Sequence, residues 1–318
     1  MDKYVFSGQM QDIMMDMIQD IPEFPPLNLL ISQVDRGGVK KYVEWKKQKR
    51  IAWLFIDSGA FSVHTGRAKC TTDEYIALLN DIDEYVDVCA QLDTIPGEYQ
   101  KPKKPEDYVE SAAKSWENYL YMRSKMKSPQ KLMPVFHYGE DFSALTRMLE
   151  WTDESGNHLD YIGISPANDV SQKLKNHYMA QVNHIIETSS NPNVKTHLYG
   201  MTSLDALSKY KCYSADSITH RLLAGYNKII SPTYGTISTS KEVKINNKLD
   251  KASFDYFCED YDLEVVKKEL AECNLTWEQV QESSAARAVF NMWSILKLCR
   301  TKYAYRPSSA GRLPRRLF

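Results

Sequence analysis

The sequence predicts an α/β fold, a (β/α)8 barrel of the TIM type with a C-terminal helical extension. Three observations point there. Short apolar runs alternate with longer amphipathic segments. The runs are poor in charge, as strands buried on both faces should be. About eight strand-helix units fall within residues 27–235, which favours a closed barrel over an open doubly wound sheet, the alternative for the same alternation.

The predicted strands are, in order, Leu27–Ile31, Trp53–Ile56, Val86–Leu92, Leu132–Phe136, Tyr161–Ile164, Thr196–Tyr199 and Cys212–Ala215, with Lys228–Ile230 as a candidate eighth. Helix starts lie between them. Thr71-Thr72-Asp73-Glu74 opens one that ends near Leu79, and Pro105-Glu106-Asp107 opens a long one towards Met126. Proline at the first helical position and acids in the first turn both suit a helix N-terminus. Asp169 is placed at the start of a helix through Ile186, and Ser203 at the start of a short one containing Leu204 and Leu207. Residues 1–235 therefore read as the barrel core. Residues 236–306 read as an insertion, polar to 250 and acidic over 255–272, followed by helices that pack on the barrel through Ala285, Val289, Trp293 and Leu296. Residues 307–318, with Arg312, Arg315 and Arg316 and no acid, read as a disordered basic tail.

Composition narrows the function. Forty Lys and Arg against 41 Asp and Glu exclude a uniformly basic coat for nucleic acid, while leaving room for local basic patches. No apolar run reaches membrane-spanning length, and Met1-Asp2-Lys3-Tyr4 lacks the order of a signal peptide. The six cysteines form no CxxC pair and read as reduced thiols. The expectation is a soluble, cytoplasmic protein with no membrane partner.

In such barrels chemistry sits at the C-terminal ends of the strands. Strand two ends in Asp57-Ser58-Gly59-Ala60-Phe61, strand three in Asp93, and strand four in His137-Tyr138-Gly139-Glu140. Strand five ends in Ser165-Pro166, strand six in Gly200 and strand seven in Asp216-Ser217. Each residue has an ordinary structural use: Asp57 and Asp93 as turn formers, Asp216 as a helix cap, His137 as a core histidine. Together they place three carboxylates and a histidine on one rim. Carboxylates that face each other across a barrel mouth repel and lose solvation, so they persist where charge is used.

These residues, in this order, resemble the tRNA-guanine transglycosylase superfamily. Asp57-Ser58-Gly59-Ala60-Phe61-Ser62 stands where that family has Asp-Ser-Gly-Gly-(Phe/Tyr)-Gln, and Asp93 where it has its guanine-binding Asp. His137-Tyr138-Gly139 stands for its Gln-Gly-Gly, and Tyr161-Ile162-Gly163-Ile164 for its Gly-rich strand. Tyr199-Gly200-Met201 and Ala215-Asp216-Ser217 stand for its Gly-Val-Gly and Phe-Asp-Cys. The resemblance spans about 27–235 and rests mostly on the first element and on the spacing from Gly200 to Asp216. The chain departs from the family's zinc site: Cys258, Cys273 and Cys299 are isolated, and Phe290-Asn291 replaces an expected His-Asn. The branch it is most similar to is the shorter 7-deazaguanine DNA transglycosylase group of phages and bacterial genomic islands.

The resemblance implies exchange of guanine in DNA for a 7-deazaguanine of the preQ0 type, the deazaguanine being the co-substrate. It makes Asp216 the nucleophile and Asp57 the general acid/base. Asp93, Phe61, Ser58, Gly59, His137, Gly139, Gly163 and Gly200 would form the base-binding pocket. No cofactor and no catalytic metal is implied. Exchange on tRNA, a non-catalytic nucleic-acid- or base-binding paralogue, and an unrelated barrel hydrolase are the competing readings. Phosphate contacts are expected from Lys46, Lys47, Lys49 and Arg50, part of a cluster with Lys40 and Lys41, and from Lys101, Lys103 and Lys104. Nothing in the sequence assigns an oligomeric state.

Overall fold

The computed structural model describes residues 1–166, 170–202, 207, 209–210, 212–240 and 261–302. Nine parallel strand segments form one sheet that closes on itself. They are β1 (Lys3–Ser7), β2 (Leu27–Ser32), β3 (Ile51–Asp57), β4 (Val88–Ala90), β5 (in two halves, Leu132–Met133 and Val135–His137), β6 (Tyr161–Ser165), β7 (Lys195–Leu198) and β8 (Ser214–Ser217). The split in β5 is Pro134, which has no N–H to give to a ladder. Its carbonyl still accepts from Gly163 N at 2.8 Å. The first half of β5 pairs with β4 and the second with β6, so the chain carries the sheet across the proline and completes an eight-stranded barrel.

The first strand corrects the sequence reading. Lys3–Ser7 pairs with β2 on one side and β8 on the other, so every predicted strand moves up one place in the count. Its flanking lysine and serine masked a run that is apolar only at Tyr4, Val5 and Phe6. The candidate eighth strand is not in the barrel. Lys228–Ser231 pairs antiparallel with Gly235–Ser238 in a separate hairpin that straddles residue 235, the expected edge of the core.

The helices start where their capping chemistry dictates. Thr71 and Glu74 exchange hydrogen bonds in a capping box that opens Thr72–Asp81. Pro105 occupies the first turn of Pro105–Lys125. Ser171 caps Gln172–Thr188 at Leu174 N; Asp169, the expected cap, lies outside the described residues, as does the expected helix start at Ser203. The predicted C-terminal extension is present as Leu263–Ala271, Trp277–Glu282 and Ser284–Lys302. The last helix packs on Thr219–Gly225, on the hairpin and on Asp12–Gln19. Two buried polar side chains fix it there. Asn291 accepts from Ile230 N (2.7 Å) and donates to His220 O (3.1 Å), and Arg287 donates to Ala224 O (2.7 Å) and Val280 O (2.8 Å). The expected tail at 307–318 lies outside the described residues. No described helix is long and apolar enough to cross a membrane.

Two cores result. One lies between the strands and the surrounding helices. The other fills the barrel interior: Val5, Leu30, Trp53, Phe55, Val88, Ala90, Met133 and Val135, with Tyr161 and Tyr199 against them. The period of two in β3 carries Trp53 and Phe55 inward, and then Asp57 at the C-terminal mouth. Gly163 sits mid-strand in this interior. A Cβ there would meet the Tyr199 ring at 2.9 Å and Met133 and Val135 at 3.1 Å. Gly163→Ala should therefore lose about 1–3 kcal/mol of stability from overpacking, read by urea unfolding. An unchanged midpoint would show that the Tyr199 ring is not wedged against this strand.

Candidate active site

The mouth is built from four strand ends. Asp57 is the last residue of β3, and the chain turns sharply after it into the short helix Ala60–His64. Gly59 makes that turn with φ +68°, and a Cβ on it would overlap Ser32 Oγ at 2.4 Å, so both conformation and space demand glycine. Its N–H donates to Asp57 Oδ2 at 3.0 Å and orients the carboxylate. Burial raises the Asp57 pKa from 3.8 to about 6, against the Gly59 hydrogen bond, and the charges of Asp93 and Asp216 add to the rise. A carboxyl in this state exchanges protons near neutrality.

Asp93 follows β4. Gln91, fully buried, donates to its Oδ1 at 2.8 Å, and His137 Nε2 lies 3.3 Å from its Oδ2. On the far side of the same ring, His137 Nδ1 lies 3.0 Å from Glu140 Oε1, a carboxylate with only 3% of its side chain exposed. Burial alone would lower the His137 pKa. The charge of Asp93, its hydrogen bond, and the hydrogen bond and charge of Glu140 outweigh it and raise the value from 6.5 to about 10. His137 is thus an imidazolium clamped between two carboxylates at neutral pH. Both ring nitrogens of this expected pocket residue are engaged by carboxylates, which leaves neither N–H to donate to a base.

Asp216 is the third residue of β8 and largely buried. Its Oδ1 accepts from Gly200 N at 3.0 Å and lies 3.3 Å from His197 Nε2. Gly200 adopts φ +62°, which turns the chain so that its N–H faces β8. The fit of Gly200 is therefore to Asp216.

Other expected pocket residues are placed as follows. Phe61 stands on the rim, 56% exposed, edge-on to Tyr99 with ring centres 6.4 Å apart. Ser58 is buried, and its Oγ accepts from Ala60 N within the turn (3.4 Å), so it shapes the turn and does not face the mouth. Gly139, at φ +96°, makes room for the Tyr108 ring. Gly163 lies two residues inside β6, beneath Tyr199, and its missing side chain serves barrel packing.

The expected basic surface divides. Lys101, Lys103 and Lys104 fall in the loop between β4 and Pro105–Lys125, on the mouth side; Lys101 pairs with Glu98, and Lys103 lies 5.9 Å from the Tyr108 ring centre. The second cluster sits at the opposite end of the barrel. A helix that follows a parallel strand runs back, so its C-terminus lies beside the strand N-termini. Lys46 donates to Ala52 O (2.7 Å) at the start of β3 and to Asp87 (2.6 Å) before β4; Arg50 pairs with Asp16, and Lys47 with Glu44. Lys49, between them, holds a left-handed turn at φ 60°. Lys46, Lys47, Lys49 and Arg50 are therefore not part of a surface around the mouth.

Sequence reasoning missed Gln91, Glu140 and His197. The signal for His197 was present: alternation in Lys195-Thr196-His197-Leu198-Tyr199 puts a histidine on the inward face one step below the rim. Glu140 reaches His137 across a short turn and Gln91 reaches Asp93 along one strand face, spacings that the sequence offers but does not by itself single out. Among the described residues no three His, Cys, Asp or Glu side chains form a metal-binding group; Cys258 lies outside them. Two surface hollows lie away from the mouth, one along the outer helix Phe142–Glu150 and one at the strand N-termini. The converging carboxylates locate the candidate site more firmly than either hollow, because neither is lined by them. No known protein family's sequence model matches the chain, and no curated protein is similar to it.

The raised His137 pKa has a defined consequence. Its contribution to stability is complete below about 6.5, the unfolded value, and is lost as pH rises through about 10. The His137 ring resonances should titrate near 10 by NMR, and Glu140→Gln should bring that midpoint down. A wild-type midpoint near 6.5 would disprove the clamp.

Proposed function

We propose that this chain is a base-exchange transglycosylase that replaces guanine in DNA with a 7-deazaguanine of the preQ0 type. The observation that carries this reading is the meeting of Asp57, Asp93 and Asp216 at one barrel mouth, with Asp57 raised to about 6 in the field of the other two. A carboxyl that exchanges protons near neutrality, beside a second carboxyl that can act as nucleophile, is the pairing that double displacement at a sugar carbon needs.

Asp216 attacks C1′ of the target nucleoside as the bond from C1′ to the guanine nitrogen breaks. The product is an ester between the Asp216 carboxylate and the sugar. Asp57, protonated, delivers its proton to the departing guanine. The incoming deazaguanine then gives its ring N–H proton to Asp57 and bonds to C1′, which releases Asp216 as a carboxylate. Two inversions at one carbon retain its configuration. Asp93, oriented by Gln91 and His137, keeps lone pairs to accept hydrogen bonds from the N1 and 2-amino edge of guanine. Phe61 on the rim offers a face for stacking. The base must leave the helix stack to reach Asp216, so the substrate is flipped out or unpaired. Lys101, Lys103 and Lys104 supply cations beside the mouth for the phosphates. The choice of DNA over tRNA rests on the resemblance to the shorter DNA-acting branch, as does placement in the cytoplasm of a bacterial or phage-infected cell. Retention of both Asp57 and Asp216 weighs against a non-catalytic paralogue.

Asp216→Asn should abolish exchange of labelled guanine or preQ0, at least roughly 10⁴-fold, with the fold intact by circular dichroism. Full activity in that variant would remove Asp216 as nucleophile. Wild-type protein should give a denaturation-resistant adduct with guanine-containing DNA, and an adduct with tRNA alone would reverse the substrate. Nucleoside mass spectrometry of DNA and tRNA from expressing cells, supplied with a deazaguanine, checks the product directly.

A further inference from the structure

Beneath Asp216 the barrel interior holds a polar chain that the base-exchange reading does not use. His197 on β7 stands in register with Ser214 on β8 on one side and with Gly163 on β6 on the other. Its ring is completely buried and walled edge-on by Phe55 (4.9 Å between centres) and Tyr199 (4.6 Å). Polar contacts remain only at the two ring nitrogens: Nδ1 lies 2.5 Å from Ser214 Oγ, and Nε2 lies 3.3 Å from Asp216 Oδ1. Ser214 Oγ in turn is hydrogen-bonded to the Tyr161 hydroxyl, which reaches across from β6.

We propose that His197 is a positioning residue for Asp216, with its tautomer set by a donor chain that runs from Tyr161 through Ser214. The inference rests on the base-exchange reading for the role of Asp216 and on geometry alone for the chain. The direction of the chain follows from what each group can do. Burial raises the Tyr161 pKa well above its ordinary value, so the phenol keeps its proton and donates to Ser214 Oγ. Ser214 has one hydrogen, which it gives to His197 Nδ1. The histidine proton is then on Nε2, facing Asp216 Oδ1. The reverse order would set the Nε2 lone pair against a carboxylate oxygen 3.3 Å away, too close for a water to stand between them. The Nε2 approach is oblique, so the contact is electrostatic more than a directed hydrogen bond.

The consequence for Asp216 is geometric. His197 and the Gly200 N–H both act on Oδ1, one from below and one from the β7 turn. Holding one oxygen from two directions limits rotation of the carboxylate and reserves the other oxygen for C1′. Orientation of this kind acts on the chemical step, because a displacement of the order of 1 Å in a reacting group costs roughly 100-fold in rate.

The test uses the full chain with 15N-labelled histidine. At about pH 8, His197 should show a protonated Nε2 and a bare Nδ1, and Ser214→Ala or Tyr161→Phe should erode that preference. A proton on Nδ1, or an imidazolium, would overturn the donor chain. For exchange of labelled preQ0 into DNA, His197→Phe should lower kcat roughly 100-fold with KM changed less than about twofold, and His197→Gln should recover about tenfold of the loss. Circular dichroism identifies a variant that has merely unfolded, and Tyr161→Phe, which removes one hydroxyl, gives a second and milder reading of the same chain. An unchanged kcat in His197→Phe, or equal losses in Phe and Gln, would overturn the positioning role. Absence of exchange by the wild-type chain would instead overturn the base-exchange reading and the catalytic half of this proposal, while the tautomer would still decide the chain itself.

Discussion

Closure of the barrel depends on the pairing of Lys3–Phe6 with Ser214–Ser217. These segments stand at the two ends of the barrel sequence, so the loop between them is long and costly to close. The compensation is the burial of Tyr4, Val5 and Phe6, together with backbone bonds that extend below the strand, where Asp2 N and Lys3 N both donate to Tyr213 O at 2.9 Å. The C-terminal helix reinforces the seam, since it packs on Asp12–Gln19, which follows β1, and on Thr219–Gly225, which follows β8. The placement of Asp216 is a product of that closure. Only when β8 docks on β1, with Val5 opposite Asp216, does the carboxylate enter the field of Asp57.

Charge at the mouth is the second constraint. Asp57, Asp93, Glu140 and Asp216 gather there, and in a poorly solvated site they would repel one another strongly. Two devices offset this. His137 supplies one positive charge and divides it between Asp93 and Glu140, while Asp57 relieves the remainder by binding a proton readily, with a pKa near 6. The uncharged donors Gln91, Gly59 and Gly200 each attach to one carboxylate and fix its direction. The outcome is division of labour among like groups, set by surroundings and not by residue type.

The near-neutral total of 40 cations against 41 anions is therefore a sum over separated regions. Acids line the mouth. Lys101, Lys103 and Lys104 stand beside it, while Lys46 and Arg50 are spent on acids at the other end of the barrel. Of the two expected basic clusters, a nucleic acid held at the mouth would meet the first.

The sequence by itself determined the α/β barrel class, most of its strands and helix starts, and the rim residues Asp57, Asp93, His137 and Asp216. Those features are local: hydrophobic runs have a period, caps have a spacing, and strand ends in a barrel face one way. It missed β1, whose apolar run is three residues long, and it placed Lys228–Ile230 in the barrel because an apolar run carries no record of its partner. It also assigned Lys46, Lys47, Lys49 and Arg50 to phosphate contacts, since a charge cluster does not state which end of a helix it occupies in space. Only the tertiary structure decided that His137 is clamped by Asp93 and Glu140, that Gly163 makes room for Tyr199, and that His197 lies beneath Asp216. Apart from the short turn between His137 and Glu140, each is a contact between elements far apart in the chain, and its geometry is set by barrel closure, which no local pattern encodes.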